Sequence, residues 1–331
     1  MILFFLSEAT ATTCDGWAPD SVILDVSGVT LESSGLAPAS LRPNVWFTHG
    51  DHGGDAVLYA FDDAGAPRGI HELPGVPLVD WEDLADAPCP DEGRCLYVAD
   101  IGDNLATRPN IAIHVVREPE QDGEAAVIVA TWTAVYPDGP RDAEALLVHP
   151  CTGVVYILTK ENGTSTVFRM PMPDPTGTVV LQSVATLALV GGAVSGADWD
   201  DQGERVVVRN DVEVFIWTTD PASPESHWAD EPVRLQSPVL GTGEAVAFGP
   251  DQGIWLTAEA DPMPLAHLTC LTPTDGAGEC AFPQTGPLGC CGDGKQSLFW
   301  LPLGPLALLR RRRRPTAEGR SALPGRFADS R

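Results

Sequence analysis

Five oxygen-bearing side chains recur along the middle of the chain at intervals of roughly 50 residues. Each opens a similar short segment, in which a small or acidic residue and then mostly apolar residues follow. Three carboxylates that converge on one point repel one another unless they are protonated or neutralised. Ca²⁺ accepts carboxylate and hydroxyl oxygens, with water filling the remaining coordination sites. The candidate calcium ligands are therefore Ser34, Glu82, Glu144, Ser195 and Glu244. The alternative is that these side chains cap strand hydrogen bonds and hold water, with no ion.

A second set of polar residues follows the β-rich runs that come after the five segments. Lys160 and Arg209 stand out in it, because the body of the chain has few basic residues and a phosphate group requires such donors. Each of the two is also an expected ion-pair partner for the surrounding acids. The candidates for binding a ligand above the cation are His49, Asp51, Asp100, Asp103, Lys160, Arg209 and Glu259.

Familiar catalytic patterns are missing from the sequence. His49-Gly-Asp-His52 places metal-ligand types close together but lacks a third ligand at a defined spacing, so it is equally a polar turn. The chain contains no G-x-S-x-G elbow, no P-loop and no H-E-x-x-H motif.

The elements that would position these residues form a repeat. Each of the five segments is followed by a turn and a β-rich run, such as Val45–Thr48, and then by a third run. Four units show a weaker fourth run, including Ala126–Thr131 and Thr178–Ser183. Four short antiparallel strands in each unit of about 50 residues are typical of a β-propeller. We therefore predict an all-β fold with five four-stranded blades, in which the first strand of each blade lines a central channel. The alternative of six blades requires a further innermost strand that the sequence does not show.

The ring also needs a means of closure. The fifth unit lacks a fourth strand, and Ser21–Asp25 lies before the first unit. This segment is predicted to complete the last blade.

The order Ser, Glu, Glu, Ser, Glu resembles the axial calcium site of the calcium-activated apyrases, which are five-bladed propellers. The resemblance implies calcium binding and hydrolysis of nucleoside phosphates. A longer pattern resembles a group of secreted bacterial propellers that are described as WD40-like or phytase-like by fold, which says little about activity. The residues that carry this second resemblance are Asp80–Ala85, Tyr97–Asn104, Asp142–Ala145, Leu158–Lys160 and Gly243–Ala245.

The eight cysteines indicate an oxidising compartment. Cys89 and Cys95 bracket one short loop and Cys270 and Cys280 another, so the sequence predicts two local disulfides, Cys89–Cys95 and Cys270–Cys280. Cys14 and Cys151 are candidates for a third, although spacing does not establish that pairing. Neither loop has zinc-ligand spacing.

Both termini suggest export. Met1–Leu6 is apolar and precedes a small-x-small site at Ala9–Ala11, which indicates a signal peptide with a late start codon or, alternatively, a frayed terminus. Cys290-Cys291, an apolar stretch at Leu298–Leu309 and the arginines Arg310–Arg314 resemble the MYXO-CTERM sorting tails of myxobacterial surface proteins. That resemblance implies surface attachment through the tail, and the alternative is a basic tail without this role. The predicted divisions are a leader at 1–19, the propeller at 20–285, the sorting tail at 286–314 and a disordered basic tail at 315–331.

The distribution of charged residues limits the kinds of partner that the protein can bind. Residues 292–331 hold nine of the 20 basic and three of the 46 acidic residues, so residues 1–291 hold 11 basic and 43 acidic residues. Such an acidic body repels nucleic acid.

The sequence predicts an extracytoplasmic monomer that binds a small or phosphorylated molecule at a calcium-organised channel mouth. Phosphoester hydrolysis is the favoured chemistry. A non-enzymatic scaffold and a glycoside hydrolase are the alternatives.

Overall fold

Strands make up nearly all of the regular structure. The computed structural model describes residues 14, 16–18, 22–30, 32–171, 177–238 and 241–273. Within these ranges it contains 21 strands and one short 3₁₀ helix, Ser226–Ala229. In the described part of the chain, no helix is long and apolar enough to cross a membrane.

The strands follow one another in groups. The chain enters with β1 (Val22–Val26), and the first group is β2 (Ser33–Pro38), β3 (Val45–Gly50), β4 (Val57–Asp62) and β5 (Pro67–Glu72). The second group is β6 (Trp81–Pro88), β7 (Arg94–Asp100), β8 (Ile111–Arg117) and β9 (Val127–Val135). The third is β10 (Ala143–Val148), β11 (Val155–Thr159), β12 (Thr164–Arg169), β13 (Thr178–Val180) and β14 (Gln182–Ala188). The fourth is β15 (Val194–Trp199), β16 (Arg205–Asn210), β17 (Glu213–Thr218) and β18 (Val233–Gln236), and the fifth is β19 (Thr242–Phe248), β20 (Ile254–Glu259) and β21 (Met263–Leu268).

These groups form five sheets arranged as the blades of a propeller, and all of their strand pairs are antiparallel except one in the second blade. The innermost strands are β2, β6, β10, β15 and β19, and each contacts the next, with β19 returning to β2. The prediction of an all-β propeller with five blades is confirmed, and the six-bladed alternative is wrong. One apolar cluster fills each of the five junctions between blades. At the junction of the fifth and first blades, for example, Trp46 packs on Trp255 with ring centroids 4.9 Å apart.

The ring closes through β1, as the sequence predicted. This strand pairs with β21 from Val22 opposite His267 to Val26 opposite Met263, so the first and last strands of the described residues share one blade. A disulfide between Cys14 and Cys270 adds a covalent link at the same place. The predicted Cys270–Cys280 pairing is therefore wrong, and the Cys14–Cys151 pairing that sequence spacing left open does not form. Sequence spacing favours a local loop, whereas the closure of the ring brings two distant cysteines together. The predicted Cys89–Cys95 disulfide is confirmed.

The predicted fourth strand at Thr178–Ser183 is only partly correct. Thr178–Val180 forms β13, which pairs in parallel with β9 and so extends the second blade to five strands. Leu181 then donates its N–H to the Val135 carbonyl at 2.9 Å, and the third blade obtains its outer strand from Gln182–Ala188. Strand-forming residues do not specify which of two neighbouring sheet edges they join.

Candidate functional site

A β-bulge lies at the ring position of every innermost strand. The pairing register shifts between Ser33 and Gly35, and the other four strands shift at the equivalent place. A bulge leaves an extra residue unpaired and redirects its side chain. The bulged positions are Ser34, Glu82, Glu144, Ser195 and Glu244, with Ala245 sharing the last bulge. We refer to these five as the axial ring.

The small residues after the ring positions make room at the axis. A Cβ atom on Gly35 would lie 2.7 Å from the Leu84 backbone nitrogen, and one on Gly196 would lie 2.9 Å from the Glu244 carbonyl oxygen. Ala145 and Ala245 occupy the equivalent positions and are fully buried. The two glycines therefore allow neighbouring innermost strands to approach closely, and the equivalent position on β6 is Asp83.

Asp83 ties three innermost strands together. Its carboxylate is fully buried and accepts the N–H groups of Leu84 at 2.8 Å, Leu146 at 2.8 Å and Ala197 at 3.2 Å, on β6, β10 and β15 respectively. Burial raises the pKa of Asp83 well above its usual range, although the three N–H groups act in the opposite direction. The residue therefore has a structural role beneath the ring, which the sequence analysis missed.

The three glutamates of the axial ring influence one another. Burial, followed by the charges of Glu144 and Asp80, raises the pKa of Glu82 to about 10. Burial and the charge of Glu144 raise the pKa of Glu244 to about 8. Burial raises the pKa of Glu144 to about 7 despite the nearby Lys160. With no cation bound, the ring therefore retains protons near neutral pH, and Glu82 donates a hydrogen bond to Glu144.

Lys160 neutralises part of this charge. Its Nζ lies 2.5 Å from Oε1 of Glu144, and the carboxylate of Glu144 is almost completely buried. The contact, together with nearby Asp142, raises the pKa of Lys160, so the ammonium stays charged. Lys160 is thus a ring partner in this structure, and any cation that binds Glu144 competes with it.

The two serines contribute hydroxyl groups with different surroundings. Ser195 Oγ donates to the Glu244 carbonyl oxygen at 3.1 Å, which leaves the oxygen's lone pairs available as acceptors. Ser34 is buried in its bulge. The neighbouring Ser33 connects β2 to β3 and β20 through Thr48 at 2.8 Å and Thr257 at 2.9 Å.

Two of the predicted ligand-binding residues are buried and unavailable. Arg209 is fully buried and donates to the carbonyl oxygens of Ala245 at 2.9 Å and Thr257 at 2.6 Å, so it joins the fourth and fifth blades. His49 is also fully buried, with its ring nitrogens at 3.0 Å from the Gly50 oxygen and 3.2 Å from the Asp83 oxygen. Both side chains are therefore occupied by contacts within the protein, which the sequence alone did not show.

Asp100 and Asp103 also have internal partners. Asp100 pairs with Arg108 at 2.7 Å, and both residues are largely buried. Asp103 accepts the N–H groups of Thr107 at 2.9 Å and Arg108 at 2.7 Å, which fixes the loop after β7. Gly102 in that loop lies against Glu82. If it carried a Cβ atom, that atom would be only 2.1 Å from Oε1 of Glu82, so there is no room for a larger residue. The two aspartates thus position a loop against the ring.

Of the remaining predicted ligand-binding residues, Asp51 is half-buried and Glu259 is exposed. Asp51 belongs to a cluster that the sequence analysis saw only in part. Glu32, Asp51 and His52 each offer a ligand atom, and these atoms lie within 4.8 Å of one another. We call these three residues the rim cluster. Glu32 supplies the third ligand atom that the His49–His52 motif lacked. It lies outside that motif in the sequence, so residue spacing gave no indication of it. In the described part of the chain no other three acidic, histidine or cysteine residues come this close, so the ligand atoms of the three ring glutamates do not all lie within 4.8 Å of one another.

The pH dependence of stability follows from the raised pKa values. Because folded Glu82 and Glu244 retain protons that the unfolded chain releases near its ordinary glutamate pKa of 4.5, stability falls as pH rises from about 4.5 towards 10. We expect the melting temperature of protein in chelator to decrease between about pH 5 and about pH 9. Calcium replaces the protons of Glu82 and Glu244, so the decrease should be smaller in calcium than in chelator. Parallel slopes with calcium and with chelator would show that the ring glutamates do not bind the ion.

Comparison with known proteins identifies no family. No model of a protein family matches the sequence, and no curated protein matches it either. Among solved structures, the PQQ-bound form of aldose sugar dehydrogenase from Streptomyces coelicolor is 12% identical, covers 77% of this chain and 99% of its own, and has a TM-score of 0.45. The soluble aldose sugar dehydrogenase from Escherichia coli, in its apo form, is 11% identical, covers 76% and 100%, and has a TM-score of 0.45. At these identities the ligands of the two enzymes do not carry over to this chain.

Proposed function

We propose that this propeller binds a small ligand at the mouth of its central channel, where the axial ring holds a calcium ion. The observation that supports the proposal is the set of five bulges that direct three glutamates and two serines to the same end of the innermost strands. The raised pKa values of the three carboxylates mean that ionising them is unfavourable at this site, and a bound cation would offset that cost.

The donor set fits calcium. Carboxylate and hydroxyl oxygens are the ligands that a hard divalent cation prefers, and the ring provides both. Binding requires Glu82 and Glu244 to lose protons and Glu144 to exchange Lys160 for the ion. When bound, calcium would supply positive charge and could coordinate a ligand oxygen. The rim acids Asp51 and Glu259 would then contact a ligand that coordinates through oxygen.

Binding without phosphoester hydrolysis is the form of the proposal that we favour. The sequence analysis relied on Lys160 and Arg209 as phosphate donors. Lys160 pairs with Glu144, and Arg209 is fully buried against backbone carbonyls. The two residues on which the prediction of hydrolysis relied are therefore engaged in other contacts. The second candidate is a purely structural ion that ties the blades together.

An extracytoplasmic location belongs to the same proposal. The Cys14–Cys270 and Cys89–Cys95 disulfides support it, because such bonds persist in oxidising compartments. The leader at 1–19 lies mostly outside the described residues. The sorting tail at 286–314, with Cys290 and Cys291, and the basic tail at 315–331 lie entirely outside them.

Thermal melting with calcium and with chelator tests the ring. At calcium concentrations about 100-fold above Kd, a ligand bound only by the folded state stabilises it by about 2.7 kcal/mol, which corresponds to roughly 5–10 °C for a domain of this size. Glu144→Gln removes one charge at constant size, so we expect it to reduce the shift by at least half. Lys160→Met removes the competing ammonium and should increase calcium affinity.

The matched control is Glu161→Gln, which alters a carboxylate on the same side of the blade that pairs with Arg141 instead of the ring. Its calcium shift should equal that of the wild type. A wild-type protein that melts identically in calcium and in chelator would exclude the ring ion. A calcium shift that Glu144→Gln leaves unchanged would place the ion elsewhere.

A further inference from the structure

The end of the channel opposite the axial ring contains a cavity of about 370 Å³. It lies near the C-terminal ends of four innermost strands, at Pro38, Asp86, Trp199 and Phe248, whereas the ring residues lie near the N-terminal ends of those strands. Asp86 follows Glu82 by four positions along extended β6, which corresponds to roughly 13 Å. We call this space the far cavity. Its volume falls in the range of pockets that bind small organic molecules.

The walls of the far cavity carry buried charges of both signs. Asp86, Asp200 and Arg205 line it, and the side chains of all three are at most 5% exposed. Arg205 Nε donates to Asp200 Oδ2 at 2.8 Å. Asp86 Oδ2 accepts hydrogen bonds from Ser40 Oγ at 2.5 Å and from Arg94. Burying charges in this way is costly unless their hydrogen-bonding capacity is satisfied.

That capacity is not fully satisfied. Asp86 Oδ1, Arg205 Nη1 and Trp199 Nε1 each have no hydrogen-bond partner among the described residues. All three atoms belong to residues that line the far cavity, where the side chains of Asp86 and Arg205 are 3% and 5% exposed and Trp199 is 5% exposed. Buried polar groups in native proteins normally have a partner, so three such atoms around one cavity point to a molecule that occupies it.

The identities of these atoms restrict the chemistry of that molecule. The lining also includes Asp198 and Asp201, so a metal cation could coordinate Asp86 Oδ1, but a cation offers no acceptor to Arg205 Nη1 or Trp199 Nε1. An anion could accept from both N–H donors, but it would face Asp86 and Asp200. A hydroxyl group donates one hydrogen bond and accepts two, so it can satisfy a carboxylate and an N–H donor together. Trp199 and Phe248 add apolar surface for C–H groups.

From this balance of donors and acceptors we propose that the far cavity is a binding site for a neutral polyhydroxylated molecule of monosaccharide size. Hydroxyl groups of the ligand donate to Asp86 Oδ1 and accept from Arg205 Nη1 and Trp199 Nε1. The site is separate from the axial ring and does not depend on the ion proposed there.

Saturation-transfer NMR and calorimetric titration with xylose, glucose and myo-inositol test this inference on the full chain. We expect at least one of the three to bind, with the same affinity in calcium and in chelator. Asp86→Asn should weaken binding about ten-fold or more, because it removes a charged acceptor. Trp199→Phe keeps an aromatic ring but removes the N–H donor, and it should weaken binding about five-fold.

The control is Asp63→Asn, which makes the same substitution at an exposed residue outside the cavity and should leave binding unchanged. Melting curves establish that each variant is folded, and Trp199→Phe provides the answer if Asp86→Asn does not fold. Three outcomes would overturn the inference. The first is that no probe binds at about 50 mM, which would mean that only water fills the cavity. The second is binding that neither variant weakens, and the third is binding that requires calcium, which would place the probe at the axial ring. Failure of the calcium-melting test leaves this prediction unaffected.

Discussion

Replacing Asp83 with alanine is expected to lower the free energy of unfolding by at least about 3 kcal/mol, since each buried N–H left without a partner costs about 1–3 kcal/mol. Three N–H groups on three innermost strands, those of Leu84, Leu146 and Ala197, lose their acceptor at once. Typical domains have only about 5–15 kcal/mol of stability, so much of the protein should unfold at moderate temperature. Chemical denaturation followed by circular dichroism measures the loss.

Two further variants separate the causes. Asp83→Asn keeps the size and one acceptor oxygen, so its effect should lie between those of the wild type and Asp83→Ala. Asp63→Ala changes an exposed aspartate and should stay within about 0.5 kcal/mol of the wild type. If Asp83→Ala were as stable as Asp63→Ala, the axial carboxylate would not join the blades.

Removing the Cys14–Cys270 disulfide is expected to destabilise the protein more than removing Cys89–Cys95. The first joins residues 256 positions apart and the second residues 6 apart. In the chain-entropy account these loops correspond to about 5.5 and about 2 kcal/mol of stabilisation. We therefore expect the double variant Cys14→Ala, Cys270→Ala to have a much lower denaturation midpoint than Cys89→Ala, Cys95→Ala.

The second pair serves as the matched control, because both double variants remove two buried cysteines and one disulfide. Equal losses of stability would mean that β1 holds the last blade through its pairing with β21 alone. A larger loss for the local Cys89–Cys95 pair would contradict the assignment of ring closure to the long-range disulfide.

Much of the fold could be predicted because a propeller repeats one unit. The five ring segments and the runs that follow them revealed the number of blades and the innermost strands. Even the closing strand at Val22–Val26 was predictable, since the fifth unit was one strand short. Repetition also identified Glu82, Glu144 and Glu244 as equivalent positions before any geometry was available.

The features that could not be predicted depend on contacts between units. Cys14 meets Cys270 only because the ring closes, and Glu32 joins Asp51 and His52 only because β2 and β3 lie side by side. Arg209 resembled a free cation in the sequence, but it extends into the junction with the fifth blade. The bulges that orient the axial ring leave no composition signal apart from the small residues after them.

The most direct test of the account is a crystal structure of the protein grown with calcium, in which anomalous scattering locates the ion. The account predicts one ion on the channel axis, within about 2.3–2.6 Å of carboxylate oxygens from Glu82, Glu144 and Glu244, with Lys160 moved away from Glu144. An ion bound only by Glu32, Asp51 and His52, or an axial ring that holds no ion while Lys160 still contacts Glu144, would contradict it.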